Sequence, residues 1–163
     1  MTIEENHTEI WNYLKEIKVG MLTTSSENHE LQSRPMFLVQ EEYEGVIWLF
    51  AHRDAHKIEE VENHSFVNLN FANTAKGNFV TLSGKAKVEK GGSQFDALWS
   101  DDVKVWFSES ENPKEDAVLI RIDVDRAEVW DSDKGTLTKA VKLTKAKMTG
   151  ERPKLGENKV LEQ

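Results

Sequence analysis

Cysteine is absent from the 163-residue sequence. That excludes disulfides, thiolate catalysis and zinc sites built on cysteine. Long hydrophobic runs are missing as well. No stretch approaches the ~20 apolar residues a membrane helix needs, and no secretory leader is visible. The expected location is the cytoplasm, with no membrane partner. Positive charge is in short supply: 21 Lys and Arg against 29 Asp and Glu leave a net charge of −8. Nucleic acid is therefore not an expected partner, because a polyanion requires a dense basic face. The chain also lacks a Gly-rich dinucleotide fingerprint, a nucleotide-hydrolase phosphate loop and a Gly-x-Ser-x-Gly elbow. No Ser or Thr has an evident His partner. What remains is an ordinary soluble balance, 38% hydrophobic and 31% charged. It is long enough for one domain with its own core.

The stretch around which the rest is arranged runs from Val46 to Lys57. Val46 to Ala51 is β-branched, aromatic and apolar, the composition of a buried strand. His52, Arg53, His56 and Lys57 then bring positive charge, and Asp54 is placed to cap a helix through Ile58 and Val61. A strand that delivers cations to a helix start suits an anion. Free backbone N–H groups and the positive helix end add to the side-chain charge.

Taken in order, the periodicity predicts a helix over Thr2 to Lys18, with Ile3, Ile10, Trp11, Leu14 and Ile17 on one face and Gly20 ending it. Met21 to Ser25 and Leu31 to Gln40 are expected strands joined by a turn. Pro35 inside the second marks an edge, a bulge or a ligand contact. Phe66 to Ala72 alternates cleanly, with Val67, Leu69 and Phe71 on one side. Asn78 to Glu89 is a long strand bent or bulged at Gly84. Ser93 to Phe107 is an expected helix, and Ala117 to Val124 and Arg126 to Asp131 are the last two strands. From Lys139 the composition shifts to seven Lys or Arg against three Glu. This basic tail is expected to be extended, or ordered against another subunit. Closely spaced strands with hairpin turns, and the bend at Gly84, predict an antiparallel sheet curled into a barrel.

Arg34, His52, His56 and Lys57 form the candidate anion site. Hairpin pairing of the second and third strands across Glu41 to Gly45 would bring Arg34 near Phe50 to His52. The cations would then share one edge and could clamp a phosphate dianion. The alternative is a set of surface charges paired with Glu59, Glu60 and Glu62. Residue types do not choose between the two. His52 and His56 are spaced like metal ligands on a helix, but two further ligands are not evident, so no metal is expected. Trp48, Trp99, Trp106 and Trp130 with Phe50, Phe79 and Phe107 serve mainly as core. A flat aromatic cofactor would need such faces, and a redox cofactor would supply the reactive group the chain lacks.

Ser33-Arg34-Pro35-Met36, then Gly45 to Phe50, then His56-Lys57, then Asn78 to Ala86 follow in an order and spacing that resemble a known family. The sequence is similar to the pyridoxamine 5′-phosphate oxidase-like flavoproteins, in particular their general stress protein branch. Trp99 to Phe107 and Ala127 to Asp131 add to the likeness, and Leu155 to Asn158 more weakly. The resemblance implies a mainly β (α+β) fold, an antiparallel split β-barrel with flanking helices over residues 1–138, followed by the basic tail 139–163. It implies a homodimer binding FMN in two equivalent clefts between subunits, and hydride transfer between the flavin and a small redox substrate. A non-catalytic flavin-binding or sensing module, and a haem or deazaflavin binder on the same barrel, stay open beside it, as does a structural dimer whose site has decayed. Phosphate contacts would fall on Arg34, His56 and Lys57. Phe50, Ala51 and His52 would line the cofactor, and Pro35 and Met36 would lie against the isoalloxazine. Trp106 or Trp130 would approach a cleft, and Asn78 would reach the ring edge. Three departures stand out. Ala51 occupies a position where the family often has a hydroxyl residue. His56 stands where the oxidase proper uses Arg, so its charge would vary near neutral pH. The C-terminal Arg motif that grips the oxidase's substrate is absent.

Overall fold

Strand periodicity decides the architecture of the computed structural model, which describes residues 2–131, 157–161 and 163. In β4 (Phe66–Asn73), Val67, Leu69 and Phe71 are buried while Phe66, Asn70 and Ala72 are exposed, as the alternation predicts. Before it come α1 (Ile3–Ile17), β1 (Val19–Ser25), β2 (Leu31–Phe37), β3 (Val46–His52) and α2 (His56–Asn63). After it come β5 (Asn78–Glu89), α3 (Ser93–Leu98), α4 (Asp101–Val105), α5 (Pro113–Asp116), β6 (Ala117–Asp131) and β7 (Glu157–Leu161). No described helix is long and apolar enough to cross a membrane.

Among the described residues, seven strands join one antiparallel sheet in the order β2-β1-β4-β5-β6-β3, with β7 also on β6. β6 is long enough to serve two neighbours along one edge. Ala117 to Asp123 pair with β3, and Ala127 to Asp131 pair with β7. The predicted pair of strands is thus one strand, and Asp125 is not a break. Ser83 pairs with Arg126 but Gly84 with Val124, which leaves Asp125 as the extra residue of a bulge. Glycine is required there, since a Cβ on Gly84 would lie 2.0 Å from the Asp123 carbonyl oxygen.

The expected hairpin between the second and third strands does not form. β3 pairs with β6, at the opposite end of the order from β2. Gln40 supplies the physical reason. Its Oε1 accepts from Trp48 N at 2.8 Å and its Nε2 donates to Val46 O at 2.8 Å. A side chain thus satisfies the free edge of β3 where a strand would have lain.

Two further expectations are refined. α1 is capped by Thr2 and Glu5 in a reciprocal capping box, and it ends at Lys18 with φ 60°, not at Gly20. Gly20 lies within β1, where a Cβ would come 2.7 Å from the Phe71 ring. The predicted helix over Ser93 to Phe107 is two helices, because Ser100 adopts an extended backbone and its hydroxyl accepts from Val103 N at 3.2 Å.

β3 is packed on both faces. Ile47, Leu49 and Ala51 enter the main core, while Trp48 and Phe50 pack against a second cluster of Phe95, Val103, Phe107, Ala117 and Leu119. The second cluster seats α3 and α4 beside the end of β3. Most of the basic tail lies outside the described residues, but its last part is placed. Leu161 of β7 is in the main core, Lys159 Nζ meets Glu9 at 2.6 Å, and Tyr43 donates its hydroxyl proton to the Gln163 side chain. These residues complete the sheet of their own chain.

Candidate functional site

Curling the sheet brings the ends of β2 and β3 together without pairing them. Between them lies a cavity of about 500 Å³. Its walls are Pro35 to Val39 at the end of β2, Phe50 to His52 at the end of β3, Lys57 in the first turn of α2, and Val103, Trp106 and Phe107 around α4. Most of this lining is apolar; the polar side chains are His52, Lys57, Ser100 and Asp102. Phe37 and Trp106 form an exposed outer wall, their ring centroids 4.5 Å apart. His52 packs on Phe107, centroid to centroid 4.3 Å. Its Nε2 lies 3.3 Å from the Trp106 carbonyl oxygen, a geometry that assigns the ring proton to Nε2.

Lys57 is the exceptional group. It is half-buried, and among the described residues its ammonium has neither a hydrogen-bond nor an ion-pair partner. Burial pushes its pKa below the ordinary lysine value, the nearby Arg34 guanidinium pushes it further, and Glu60 opposes both. Buried charges are costly unless paired. A half-buried ammonium facing an apolar cavity is therefore a candidate site for an anion.

Arg34 acts electrostatically on Lys57 but does not line the cavity. Its Nη2 donates to Glu60 Oε2 at 3.0 Å and its Nη1 donates to Thr24 Oγ1, while the Thr24 hydroxyl donates to the same Glu60 oxygen. The reading of these cations as charges paired with acids on α2 therefore holds for Arg34, with Glu60 as the partner. His56 turns away from the cavity into a separate hollow with Gln32, Glu59, Asn63 and His64. It begins α2 while His52 ends β3, so the two do not share a helix face. Among the described residues no grouping of three or more His, Asp or Glu is placed to hold a metal ion. Asp54 does not cap α2 either; the N-cap is Ala55, without a side-chain bond.

Of the residues singled out from sequence, the fold brings Pro35, Met36, Phe50, Ala51, His52, Lys57 and Trp106 to one cavity. It does not bring Asn78 or Trp130 there. Ala117 pairs with His52 beside the cavity, whereas Trp130 lies thirteen residues along β6, opposite Phe79. That is roughly 40 Å of extended chain. Sequence reasoning missed Phe37, Val39 and Asp102. A start signal was present for α4, since Ser100 followed by two acids is a helix N-terminus pattern.

A family model described as pyridoxamine 5′-phosphate oxidase like matches residues 5–154. The chain belongs to that family. Within it, the chain is similar to general stress protein 26 of Bacillus subtilis, 26% identical over 127 residues that cover 76% of this chain and 86% of the relative. The structure is similar to that of a general stress FMN/FAD binding protein from Xanthomonas citri, with a TM-score of 0.67 at 24% identity, covering 81% of this chain and 92% of the other. It also resembles a pyridoxamine 5′-phosphate oxidase-related, FMN binding protein from Nostoc punctiforme, with a TM-score of 0.65 at 10% identity, covering 82% and 88%. These likenesses show the split-barrel fold of the family, mainly antiparallel β with few helices. The sheet order and the curl at the Gly84 bulge are its expression in this chain.

Proposed function

We propose that this protein is an FMN-binding general-stress-type flavoprotein, acting as a homodimer and passing hydride between bound flavin and a small substrate. The observation that carries the reading is Lys57, a half-buried cation at an apolar cavity with no hydrogen-bond or ion-pair partner among the described residues. The cavity of about 500 Å³ falls within the range typical of small-ligand sites. Its donor set fits a molecule with one anionic end and one flat apolar end. Lys57 would hold the phosphate. Met36, Phe50 and Ala51 would bury the flavin, and Pro35, Phe37 and Trp106 would keep water from its outer side. His52 offers a proton-bearing ring at the same wall. FMN, when bound, supplies reversible two-electron chemistry that the side chains lack. The relatives described as FMN or FAD binding proteins support the cofactor class.

Homodimerisation has its own support. The exposed side chains of the strands include Met21, Leu31, Phe66, Phe79 and Trp130, which a second copy would cover. Asn78 and Trp130 are remote from the cavity of their own chain, and could reach a flavin only across such an interface.

The test is direct. Purified protein should be yellow, or should quench FMN fluorescence and gain thermal stability on adding FMN. Colourless protein that does neither ends the proposal. Turnover with NADH or NADPH and an added acceptor would separate an oxidoreductase from a module that only holds or senses flavin. A Soret band, or preference for a deazaflavin, would replace FMN by another cofactor on the same barrel.

A further inference from the structure

The triad Thr24, Arg34 and Glu60 has no part in lining the cavity, yet two of its members, Arg34 and Glu60, act electrostatically on Lys57, the cation that would meet the ligand's charge. Thr24 is 1% exposed, and the Arg34 and Glu60 side chains are 20% and 11% exposed. Each member bonds to both others. Glu60 lies three residues after Lys57 on α2, so both face the same side of the helix. The anion end of the site therefore contains two cations and one carboxylate within a partly desolvated space. Its net charge is one positive, less than a phosphate dianion carries. The Arg34 charge is already neutralised by an acid of its own chain.

We infer that Glu60 sets how strongly the site distinguishes a phosphorylated flavin from the unphosphorylated one, by holding the charge of Arg34. The inference rests on the flavin reading above and concerns the ligand selectivity of the same site. Contacts to the ring come from Met36, Phe50 and the outer aromatic wall, and riboflavin shares all of them. Only the phosphate senses the balance between Arg34, Lys57 and Glu60. With Glu60 ionised, the phosphate would meet Lys57 as the one cation of the pair without a partner among the described residues, and FMN would gain over riboflavin only what a single charge supplies. With Glu60 made neutral, the phosphate meets two.

Glu60→Gln tests this. The amide keeps the length and shape of the carboxylate, and its carbonyl can still accept from Arg34 and Thr24. Dissociation constants for FMN and for riboflavin are measured by fluorescence quenching at neutral pH, on the full chain, for wild type and variant. The expected result is a rise of about tenfold in the preference for FMN, with riboflavin affinity unchanged within about twofold. A preference raised by less than about threefold overturns the inference. Arg34→Met/Glu60→Gln guards against a merely structural effect. Removing both charges should return the preference to the wild-type value, whereas a double variant as selective as Glu60→Gln alone also overturns it. Wild type that binds neither flavin defeats the cofactor reading itself. Wild type that binds both, with a ratio unmoved by Glu60→Gln, defeats this inference alone.

Discussion

Replacing Lys57 by methionine isolates the charge at the centre of the proposed site. The methionine keeps most of the apolar stem, so the wall beside Phe50 and Ala51 keeps its packing. Only the ammonium is lost. Two unit charges about 4 Å apart interact by roughly 4 kcal/mol at an effective dielectric constant of about 20. Lys57 is only half-buried, and solvent screening at such a position brings the loss to about 1–3 kcal/mol. That is roughly 5- to 150-fold in FMN affinity. Riboflavin, which lacks the phosphate, should lose less than about threefold. Folding should not suffer, because the variant removes a desolvated charge with no described partner. Fluorescence titration of both flavins, with a thermal melt of each protein, measures all three quantities. Equal losses for FMN and riboflavin, or no loss for either, would refute the assignment of Lys57 to the phosphate.

The remaining predictions follow from burial, clash and charge. FMN affinity should fall as pH rises through the lowered pKa of Lys57, beginning below the ordinary value of 10.5, while riboflavin affinity shows no such step; paired titrations across the alkaline range would check it. Stability of the flavin-free protein should move the other way. The cost of the desolvated ammonium is present below the folded pKa, and it disappears as pH rises from there toward 10.5, so the folded state gains stability across that window in chemical denaturation. Gly84→Ala places a Cβ against the Asp123 carbonyl oxygen and should cost roughly 3 kcal/mol or more, or about 6–12 °C in Tm; an unchanged melt would show that the bulge is not held as described. Leu161→Ala removes a side chain that is 3% exposed in the main core, and should cost about 2–5 kcal/mol. An effect within about 0.5 kcal/mol would place β7 outside the cooperative unit.

What could be read before folding was whatever depends on neighbours along the chain. The alternation in Phe66 to Asn73 reports its own buried face, because side chains on a strand point to opposite sides every residue. Gly84 announces a bulge because one residue without a Cβ inside a β-branched run has few other uses. Phe50, Ala51, His52 and Lys57 reach the same cavity because they flank one short strand-to-helix junction.

What could not be read depends on which distant groups compete for one partner. The Gln40 side chain occupies the open edge of β3, and among the described strands β3 pairs with β6 alone. Glu60 reaches Arg34 through the packing of α2 against β1 and β5, and turns a candidate phosphate clamp into an internal ion pair. Trp130 ends far from the cavity because β6 runs on as one strand past the bulge instead of breaking at Asp125. The sequence by itself determined the local elements, the bend at Gly84 and the run of site residues around Lys57, since each follows from periodicity and residue shape. Only the tertiary structure decided that Arg34 is paired while Lys57 has no partner among the described residues, because pairing a charge depends on what the fold brings within about 4 Å of it.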